Sequence, residues 1–292
     1  MNRKKVLLLG STGKMGVALA AALRSGHELV CAHRPEFDAT DFAKVALIIR
    51  QERPDVVINT VAHLGIEPCE DDPHKAFELN ALYPRLLAQL SAENDFLLVH
   101  FSTDAVFADR DAFYAEDDVP RPVNVYGMTK YAGDMFVEAF AQKYYIARIS
   151  VLFGETNKHT QFVEKMLDKL QSHDRLSPNS PVLRIAGDII CSPCYSRDVA
   201  EAVRTLLQEE YPYGLYHLAN EGKASLYDLM KEIVATLGVD AVVEKVSYKD
   251  FPARGRKNTS TPITTKKFKP LRPWRQAVSE YCHGLKHVAE QT

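Results

Sequence analysis

Short apolar runs alternate with longer amphipathic stretches through the first half of the chain. Apolar runs of this length, bounded by turn residues, are typical of strands buried on both faces of a sheet. Five strands are predicted in this way, at residues 5–9, 28–32, 55–63, 96–102 and 145–152. Helical patterns separate them, at residues 17–23, 42–51, 73–93 (with a kink expected at Pro84) and 126–133. Regular alternation of this kind is the signature of a parallel sheet covered by helices on both faces.

The pattern loosens beyond Gly154. Further helices are predicted at residues 160–171, 197–208, 226–237 and 274–287, and further strands at 182–185 and 214–219. We therefore predict an α/β fold, a doubly wound parallel sheet of the Rossmann type with a smaller C-terminal substrate domain. Residues 1–152 would form the dinucleotide-binding domain, with 195–220 returning to it, and residues 153–292 would mainly bind substrate.

A glycine-rich loop joins the first predicted strand to the first helix. It reads Gly10-Ser-Thr-Gly13-Lys-Met-Gly16. In a dinucleotide-binding loop the first glycine permits a tight turn, the second lets pyrophosphate approach the backbone, and the third lets helix pack on strand. The positive end of the helix would then face the phosphates. We predict that six residues of this loop bind a dinucleotide cofactor: Gly10, Thr12, Gly13, Lys14, Met15 and Gly16.

The end of the second predicted strand indicates which dinucleotide is bound. An acidic residue there would hold the ribose 2′-hydroxyl of NAD, but the chain has His33 and Arg34. A cation suits the 2′-phosphate, so NADPH is predicted, with NADH as the alternative. Asp38 and Ala39 follow and are predicted to contact the adenine. The stretch from Asp38 to Asp41 also fits an N-cap for the next helix.

Ligands of doubly wound sheets lie beyond the carboxyl ends of the strands. The third predicted strand ends at Val61, Ala62 and His63, which we therefore place beside the cofactor. The fourth ends at Thr103, where a hydroxyl is placed either to bond a substrate carbonyl or to form a turn. These strand ends supply the next group of candidate site residues.

A Tyr and a Lys lie four residues apart at the start of the following helix. Tyr126 and Lys130 would project from one face of it. The ammonium would favour the phenolate and lower the pKa of the Tyr toward neutrality. Such a Tyr exchanges a proton with a carbonyl or alcohol oxygen during hydride transfer. A surface pair of the same spacing is the alternative. We predict that both residues are catalytic and contact the cofactor.

Composition limits the classes of function. The chain has 292 residues, of which 46% are hydrophobic and 25% charged, and its formal net charge is −2. That balance argues against a nucleic-acid or membrane partner, because both favour a basic surface. Five cysteines, an odd number, suit a reducing compartment better than a disulfide scaffold, and the first residues do not read as a secretory signal. We expect a cytoplasmic protein.

Two local motifs carry weaker signals. Cys191-Ser-Pro-Cys194 has the spacing of a redox or zinc motif, but neither a thioredoxin-like context nor a second ligand pair accompanies it. No metal site is therefore predicted. The basic loop at residues 252–258 contains Arg254 and Arg256, which either bind phosphate or belong to a solvated charge run.

Together these stretches resemble the extended short-chain dehydrogenases/reductases, and within them the dTDP-4-dehydrorhamnose reductase family. Residues 10–16 are similar to the family's G-x-x-G-x-[LM]-G, and residues 55–63 resemble D-x-[VI]-[VI]-N-x-A-A-[HY], with Val61 where the first Ala is usual. Residues 102–107 are close to S-T-D-Y-V-F. Residues 116–133 are close to the specific run E-x-D-x-x-x-P-x-N-x-Y-G-x-[TS]-K-x-x-G.

The resemblance implies a role for each residue. Tyr126 would be the general acid, Lys130 its pKa modulator and ribose anchor, and Thr103 a second hydroxyl on the ketone oxygen. Asn80 would face the cofactor. NADPH would deliver hydride to a nucleotide-linked 4-keto-6-deoxy sugar, and the superfamily implies a homodimer. The residues that would contact the substrate are Thr103, Asp104, Val151, Arg254 and Arg256.

The sequence departs from the family pattern at positions that the resemblance assigns to substrate recognition. Val151 replaces the Trp of R-x-S-W-[VL]-[YF], and residues 188–194 lack the Gln, Gly and Thr of D-Q-x-G-x-P-T. Two alternatives therefore stay open. One is a nucleotide-sugar epimerase or dehydratase of the same superfamily, and the other is a non-catalytic NADP-binding regulatory subunit like that of methionine adenosyltransferase.

Overall fold

A six-stranded parallel sheet lies at the centre of the computed structural model. The structure describes residues 3–33, 35, 37–156, 158, 160–172 and 180–290. The strands in chain order are β1 (Lys5–Leu9), β2 (Glu28–Ala32), β3 (Val56–Asn59), β4 (Leu97–Thr103), β5 (Tyr144–Ile149), β6 (Leu152–Phe153), β7 (Val182–Ala186), β8 (Ile190–Cys191), β9 (Cys194–Tyr195), β10 (Gly214–His217), β11 (Asn220–Glu221), β12 (Ala224–Ser225), β13 (Val242–Val246) and β14 (Leu271–Pro273). The main sheet has the order β2-β1-β3-β4-β5-β10, with all neighbours parallel. The predicted parallel sheet is confirmed.

Helices cover both faces of this sheet. In chain order they are α1 (Lys14–Leu23), α2 (Phe42–Glu52), α3 (Ile66–Asp71), α4 (Pro73–Phe77), α5 (Tyr83–Asn94), α6 (Val125–Phe140), α7 (Phe162–Gln171), α8 (Ser196–Gln208), α9 (Leu226–Leu237) and α10 (Trp274–Glu290). A π-helical turn (Glu78–Leu82) joins α4 to α5, and a 3-10 turn (Asp104–Val106) follows β4. Among the described residues, no helix has both the length and the apolar character needed to cross a membrane.

Successive residues of β1 point to opposite faces of the sheet, as the pleat of a strand requires. Val6 and Leu8 belong to the apolar core beneath α1 and α8, whereas Leu7 and Leu9 belong to a second core beneath α2 and α5. All four side chains are fully buried. The uninterrupted apolar run of the strand therefore reflects burial on both faces.

The chain changes direction across the sheet between β1 and β3. β1 pairs with β2 on one side and with β3 on the other. The connections that follow β1 and β3 thus diverge, and a crevice opens beyond the carboxyl ends of these two strands. In sheets of this kind ligands bind at that crevice.

The chain returns to the main sheet after residue 195. β10 pairs with β5, from Tyr145 opposite Gly214 to Arg148 opposite His217, and α8 packs against α1. The rest of the second half forms a third apolar core from α7, α9, α10 and the β7–β13 pair. We propose, as the sequence predicts, a dinucleotide-binding domain of residues 1–152 with 195–220 and a substrate domain formed mainly by 153–292.

The predicted helix at residues 73–93 is wrong in detail, because the chain forms α4, the π-helical turn and α5 instead. Pro84 lies in the first turn of α5, where a missing N–H is tolerated best. The carbonyl oxygen of Asn80 packs closely on α6, where a Cβ at Gly133 would lie 2.2 Å from it. The helix α3 and the strand β13 were not predicted, since α3 is short and acidic and β13 is short and largely exposed.

Candidate active site

The glycine loop turns at the carboxyl end of β1, beside the crevice. Gly10 has a φ of +85°, which favours glycine. A Cβ at Gly16 would lie 2.3 Å from the Gly10 carbonyl oxygen, so glycine is needed for α1 to approach the loop. A Cβ at Gly13 would meet that oxygen only at 3.4 Å, which leaves an open backbone face there. Thr12, which lies within this loop, accepts a hydrogen bond from the Lys158 ammonium at 2.7 Å.

The side chain of Lys14 does not point to this open face. It is almost fully buried, and its ammonium donates to the Leu152 carbonyl and forms an ion pair with Glu164, both at 2.8 Å. Burial lowers the pKa of Lys14. Met15 is likewise buried in an apolar core. Lys14 and Met15 would therefore contact the cofactor through their backbone atoms only, because both side chains are buried in the protein interior.

The end of β2 is partly described. Arg34, predicted to favour NADP, lies outside the described residues. Asp38 accepts hydrogen bonds from the N–H and hydroxyl of Thr40, Ala39 is buried, and Asp41 rather than Asp38 caps α2. Asp38 and Thr40 line one side of a cleft of about 790 Å³, with α4 and the π-helical turn on the other. A cleft of this volume can accommodate the adenosine end of a dinucleotide.

The loop that follows β3 is held by a buried amide. Val61, Ala62 and His63 are partly exposed there. The fully buried Asn80 side chain accepts from the His63 N–H at 2.8 Å and donates to the His63 carbonyl at 3.0 Å. It also donates to the Thr129 hydroxyl at 3.1 Å. Asn80 thus fixes the shape of this loop, and its predicted contact with the cofactor stays a prediction.

Thr103, Tyr126 and Lys130 come together at the carboxyl end of β4. Thr103 ends the strand, and its hydroxyl lies near enough to the Tyr126 phenol to lower the pKa of that phenol. The helix α6 starts where it does because Asn124 caps it, accepting from the Gly127 N–H at 2.9 Å. Gly127 lets the helix approach the turn after β4, since a Cβ there would lie 2.2 Å from a backbone oxygen of that turn.

Burial controls the charge of both groups of the predicted pair. The pKa of Tyr126 is raised because burial disfavours the phenolate, and Asp104 raises it further. Burial lowers the pKa of Lys130 to about 8, and its ammonium donates to the Phe101 carbonyl at 2.6 Å. The prediction that Lys130 brings the pKa of Tyr126 toward neutrality is therefore wrong in this structure. The phenol remains protonated, which is the form that a general acid requires.

Asp104 binds three hydroxyl groups. Its Oδ1 accepts from Thr103 at 3.2 Å, and its Oδ2 accepts from Ser150 at 2.6 Å and from Thr261 at 2.9 Å. Burial raises the pKa of Asp104. Both carboxylate oxygens are thus engaged within the protein, and Asp104 orients Thr103 rather than being free to contact a substrate as predicted. Ser150 and Thr261 were missed, since single hydroxyl residues carry no pattern in a sequence.

The basic loop at residues 252–258 lies against the acidic helix α3. Arg254 forms an ion pair with Asp71, and Lys257 forms one with Glu67. The guanidinium of Arg254, predicted to bind substrate phosphate, is therefore occupied by a carboxylate. These pairs fix the loop to the part of the chain that follows β3.

Arg256 is placed differently in the same loop. Asn124 donates to the Arg256 carbonyl at 2.9 Å and to Oδ1 of Asn258 at 2.7 Å, which ties the loop to the start of α6. The Arg256 side chain is exposed, and no carboxylate within the described residues pairs with it. Its guanidinium is available to an anionic ligand. Asn124 was not singled out from the sequence, although an Asn before an apolar helical pattern is a typical cap.

The C-x-x-C motif is structural. Cys191 and Cys194 are free, buried thiols whose pKa values are raised by burial. The Cys194 N–H donates to the Val151 carbonyl at 2.8 Å, and the Val151 side chain packs against the third apolar core. Val151, predicted to contact substrate, is thus partly turned inward. Across the residues that the structure describes, no group of His, Cys, Asp and Glu side chains could hold a metal ion.

The fold and the Tyr126–Lys130 pair beside the sheet crevice are those of the short-chain dehydrogenases/reductases. Within that class, the sequence carries a more specific relationship. Residues 4–287 match the family described as the RmlD substrate binding domain, and the chain belongs to that family. The family resemblance predicted from the motifs is confirmed.

Relatives of known name cover nearly the whole chain. A dTDP-4-dehydrorhamnose reductase of Mycolicibacterium smegmatis is 30% identical over 286 residues, which are 95% of this chain and 84% of the relative. The spore coat polysaccharide biosynthesis protein SpsK of Bacillus subtilis is 29% identical over 283 residues, 95% and 96% of the two chains. The crystal structure of the Bacillus anthracis dTDP-4-dehydrorhamnose reductase in complex with NADP has a TM-score of 0.89 at 26% identity and covers 97% and 99% of the two chains.

Proposed function

We propose that this protein is an NADPH-dependent reductase of a nucleotide-linked 4-keto-6-deoxy sugar, similar to dTDP-4-dehydrorhamnose reductase. The observation that carries the proposal is the placement of Thr103, at the carboxyl end of β4, beside Tyr126 and Lys130, which lie one turn apart on α6. The names of the relatives, including one solved with NADP, support the same activity. Asp104 has both oxygens engaged, so it is not free to act as the additional acid that a dehydratase needs.

The glycine loop fits a dinucleotide. The open backbone face at Gly13 lies at the N-terminus of α1, where unpaired N–H groups and the helix dipole favour the pyrophosphate. Gly10 and Gly16 are crowded by backbone and hold the shape of the loop. The loop at residues 61–63 and the cleft beside Asp38 would complete the cofactor site. NADPH, when bound, supplies the hydride that the carbonyl carbon of the sugar receives.

The protein supplies the proton. Tyr126 holds it on a phenol whose raised pKa keeps it neutral, and the carbonyl oxygen takes it up as the carbon is reduced to an alcohol. Thr103 would turn its hydroxyl proton from Asp104 to that oxygen and so give it a second hydrogen bond, which stabilises the charge that develops on it. Lys130 stabilises the tyrosinate that remains, until a proton from solvent restores the phenol. The net change is one ketone and one proton converted, with NADPH, to one alcohol and NADP⁺.

The nucleotide part of the substrate would be bound by the basic loop. The free guanidinium of Arg256 suits a diphosphate, because Arg can form two parallel hydrogen bonds to phosphate oxygens. Arg254 would act indirectly, through its ion pair with Asp71, by holding the loop in place. The sugar would lie between Tyr126 and the region of Val151, where the chain departs from the family pattern.

The experiment follows NADPH absorbance with an enzymatically prepared dTDP-4-keto-6-deoxy sugar, with and without its 3,5-epimerase. We expect turnover, and its dependence on the epimerase would identify the sugar that enters. Tyr126→Phe should abolish turnover and leave NADPH binding nearly unchanged. Normal turnover by Tyr126→Phe would show that another group is the acid, and failure of the wild type to bind NADPH would refute the function itself.

We further propose that the protein acts in the cytoplasm and as a homodimer. The net charge of −2 and the odd number of cysteines support the first point, and the resemblance to the superfamily supports the second. Sedimentation equilibrium of the purified chain tests the dimer. A single species with the mass of one chain at all concentrations would contradict it.

A further inference from the structure

A buried row of polar side chains runs beneath the catalytic helix. It consists of Asn59 on β3, His100 on β4, Arg148 on β5 and Asp134 on α6, none of them more than 3% exposed. Asp134 lies one helical turn after Lys130, on the same face of α6. A charge buried this deeply is costly unless it is paired, so the partners of Asp134 decide what it does.

Hydrogen bonds fix the tautomer of His100. The Asn59 Oδ1 accepts from the Val61 N–H at 3.0 Å, which turns the Asn59 amide nitrogen toward His100 Nδ1 at 3.2 Å. Because an amide nitrogen donates, Nδ1 accepts and the ring proton lies on Nε2. Burial and the charge of Lys130 hold the pKa of His100 well below its ordinary value, so the ring is neutral. Its Nε2–H faces Asp134 Oδ1 at 3.8 Å.

The carboxylate of Asp134 is held from two strands. Both Nε and Nη2 of Arg148 donate to its Oδ2, each at 3.1 Å. Within the described residues its Oδ1 has no hydrogen-bond partner, and neither has His100 Nε2. One oxygen of the carboxylate is thus saturated by Arg148 and the other is not. The carboxylate therefore retains a field that reaches Lys130.

The charge state of Lys130 depends on the electrostatic field of the Asp134 carboxylate. Inside the part of the chain that the structure describes, its ammonium has a backbone carbonyl as partner and no carboxylate within ion-pair distance. The titratable groups that face it are Tyr126 and Asp134 on α6, Cys69 on α3 and His100 on β4. Burial keeps three of these groups neutral at neutral pH, because it raises the pKa of Tyr126, raises that of Cys69 to about 11, and lowers that of His100. Asp134 is the main group that raises the pKa of Lys130.

We propose that Asp134 is a positioning residue whose buried carboxylate, held by Arg148 and facing a neutral His100, keeps Lys130 in the ammonium form during reduction. The inference rests on the proposed function, in which Lys130 stabilises the tyrosinate left at Tyr126. Without Asp134, burial would favour the neutral amine, and the tyrosinate would lose its counter-charge. Because the Lys130 ammonium pairs with a backbone carbonyl and with no carboxylate of the described residues, its charge remains available to the tyrosinate.

A direct titration tests this without any substrate. In NMR spectra of protein carrying isotope-labelled lysine, the Lys130 signal is identified by its absence in Lys130→Arg. We expect Asp134→Asn to lower the titration midpoint of Lys130 by about one pH unit or more, as loss of a nearby opposite charge requires. The matched control is Glu93→Gln, which removes an exposed carboxylate of α5 that pairs with Arg50 and should leave the midpoint unchanged.

The pH profile of kcat gives the second measurement. Activity that needs the ammonium falls as pH rises through the pKa of Lys130, so Asp134→Asn should move this fall to lower pH and regain a near-wild-type rate below it. A loss of rate that is equal at every pH would assign Asp134 a purely structural role. Absence of turnover by the wild type would refute the proposed function and leave the NMR titration as the test of Asp134.

Arg148→Gln tests the same relationship with the opposite sign. Removal of the guanidinium leaves the carboxylate less neutralised, so the midpoint of Lys130 should rise instead of fall. A folded Asp134→Asn or Arg148→Gln protein in which Lys130 titrates as in the wild type would overturn the proposal. Failure of both variants to fold would do so too, because it would assign the pair to stability alone.

Discussion

The Glu164 carboxylate lies 2.8 Å from the Lys14 ammonium, and the two side chains are only 4% and 3% exposed. Lys14 belongs to the glycine loop, and Glu164 belongs to α7 in the second half of the chain. The pair therefore joins the loop that would bind pyrophosphate to an element of the predicted substrate domain. Its burial makes it a strong constraint on the loop.

Glu164→Gln should lower the free energy of unfolding by about 3–5 kcal/mol, because it leaves the Lys14 charge buried without a counter-ion. Denaturant unfolding measures the change. The matched control is Glu201→Gln, which breaks the exposed pair with Arg204 and should cost at most about 0.5 kcal/mol. An equal effect of both substitutions would show that the buried pair does not constrain the loop.

The glycines of the loop should respond differently to a methyl group. Gly13→Ala places a Cβ on the open face, so we expect a folded protein with a raised Kd for NADPH and a nearly unchanged Tm. Gly16→Ala places a Cβ 2.3 Å from a backbone oxygen and should lose stability as well as binding. Equilibrium binding and thermal unfolding of both variants separate the two effects. Unchanged NADPH affinity in Gly13→Ala would contradict the assignment of the open face.

Thr103→Val should lower kcat by about two orders of magnitude, since it removes a hydrogen-bond donor from the site of the developing oxyanion. NADPH affinity should not change. Thr103→Ser, which keeps the hydroxyl next to Asp104, is the control and should retain most of the activity. A Thr103→Val enzyme with wild-type kcat would remove Thr103 from the reaction.

Arg256→Ala should raise the KM for the nucleotide sugar by about ten- to a hundredfold, because a charge-assisted hydrogen bond to phosphate contributes on the order of 1.5–3 kcal/mol. NADPH affinity should stay the same. In the neighbouring Arg254→Ala the guanidinium removed is already paired with Asp71, so a smaller change in KM is expected. Equal changes in KM for the two variants would mean that Arg256 has no contact with the substrate beyond the contribution that the whole loop makes.

The free energy of unfolding should fall in mild acid, because buried histidines stay neutral in the folded protein and take up protons when it unfolds. Burial lowers the pKa of His217 to about 4, whereas an unfolded chain takes up a proton near its ordinary pKa of 6.5. The stability contributed by neutral His217 is therefore complete above pH 6.5 and lost as pH falls toward 4, by up to about 1.4 kcal/mol per pH unit. His217→Gln should reduce this slope, and the exposed His283→Gln should not. Denaturant unfolding at a series of pH values measures both.

Elements with a clean apolar period were predictable. The bounds of β1, β2 and α9 agree with their predictions residue for residue, because each is a single apolar or amphipathic run between turn residues. The start of α1 was predicted three residues late, since Lys14, Met15 and Gly16 read as part of the loop. A regular spacing of apolar residues predicts which face of an element is buried. A loop that continues directly into a helix has no such spacing, so the first residue of the helix is not marked in the sequence.

The chemistry of the site was predictable in its residue types and not in its charge states. The spacing of Tyr126 and Lys130 places them on one face of a helix, but the direction of the pKa of Tyr126 depends on burial, which the spacing does not contain. Glu164, the ion-pair partner of Lys14, and Thr261, one partner of Asp104, each lie more than a hundred residues away in the chain. Such contacts follow from the packing of distant elements, which no local pattern encodes.

The pairing of β5 with β10 has a consequence for the nascent chain during its synthesis on the ribosome. The edge of β5 is covered only when Gly214 and the residues after it reach the sheet. Between the end of β5 at Ile149 and the start of β10 the ribosome adds more than sixty residues, which takes several seconds at about 5–20 residues per second. During that time the nascent chain presents an unpaired, apolar strand edge, the surface on which other chains most readily add. Protection of nascent chains should therefore matter most in the interval before β10 emerges.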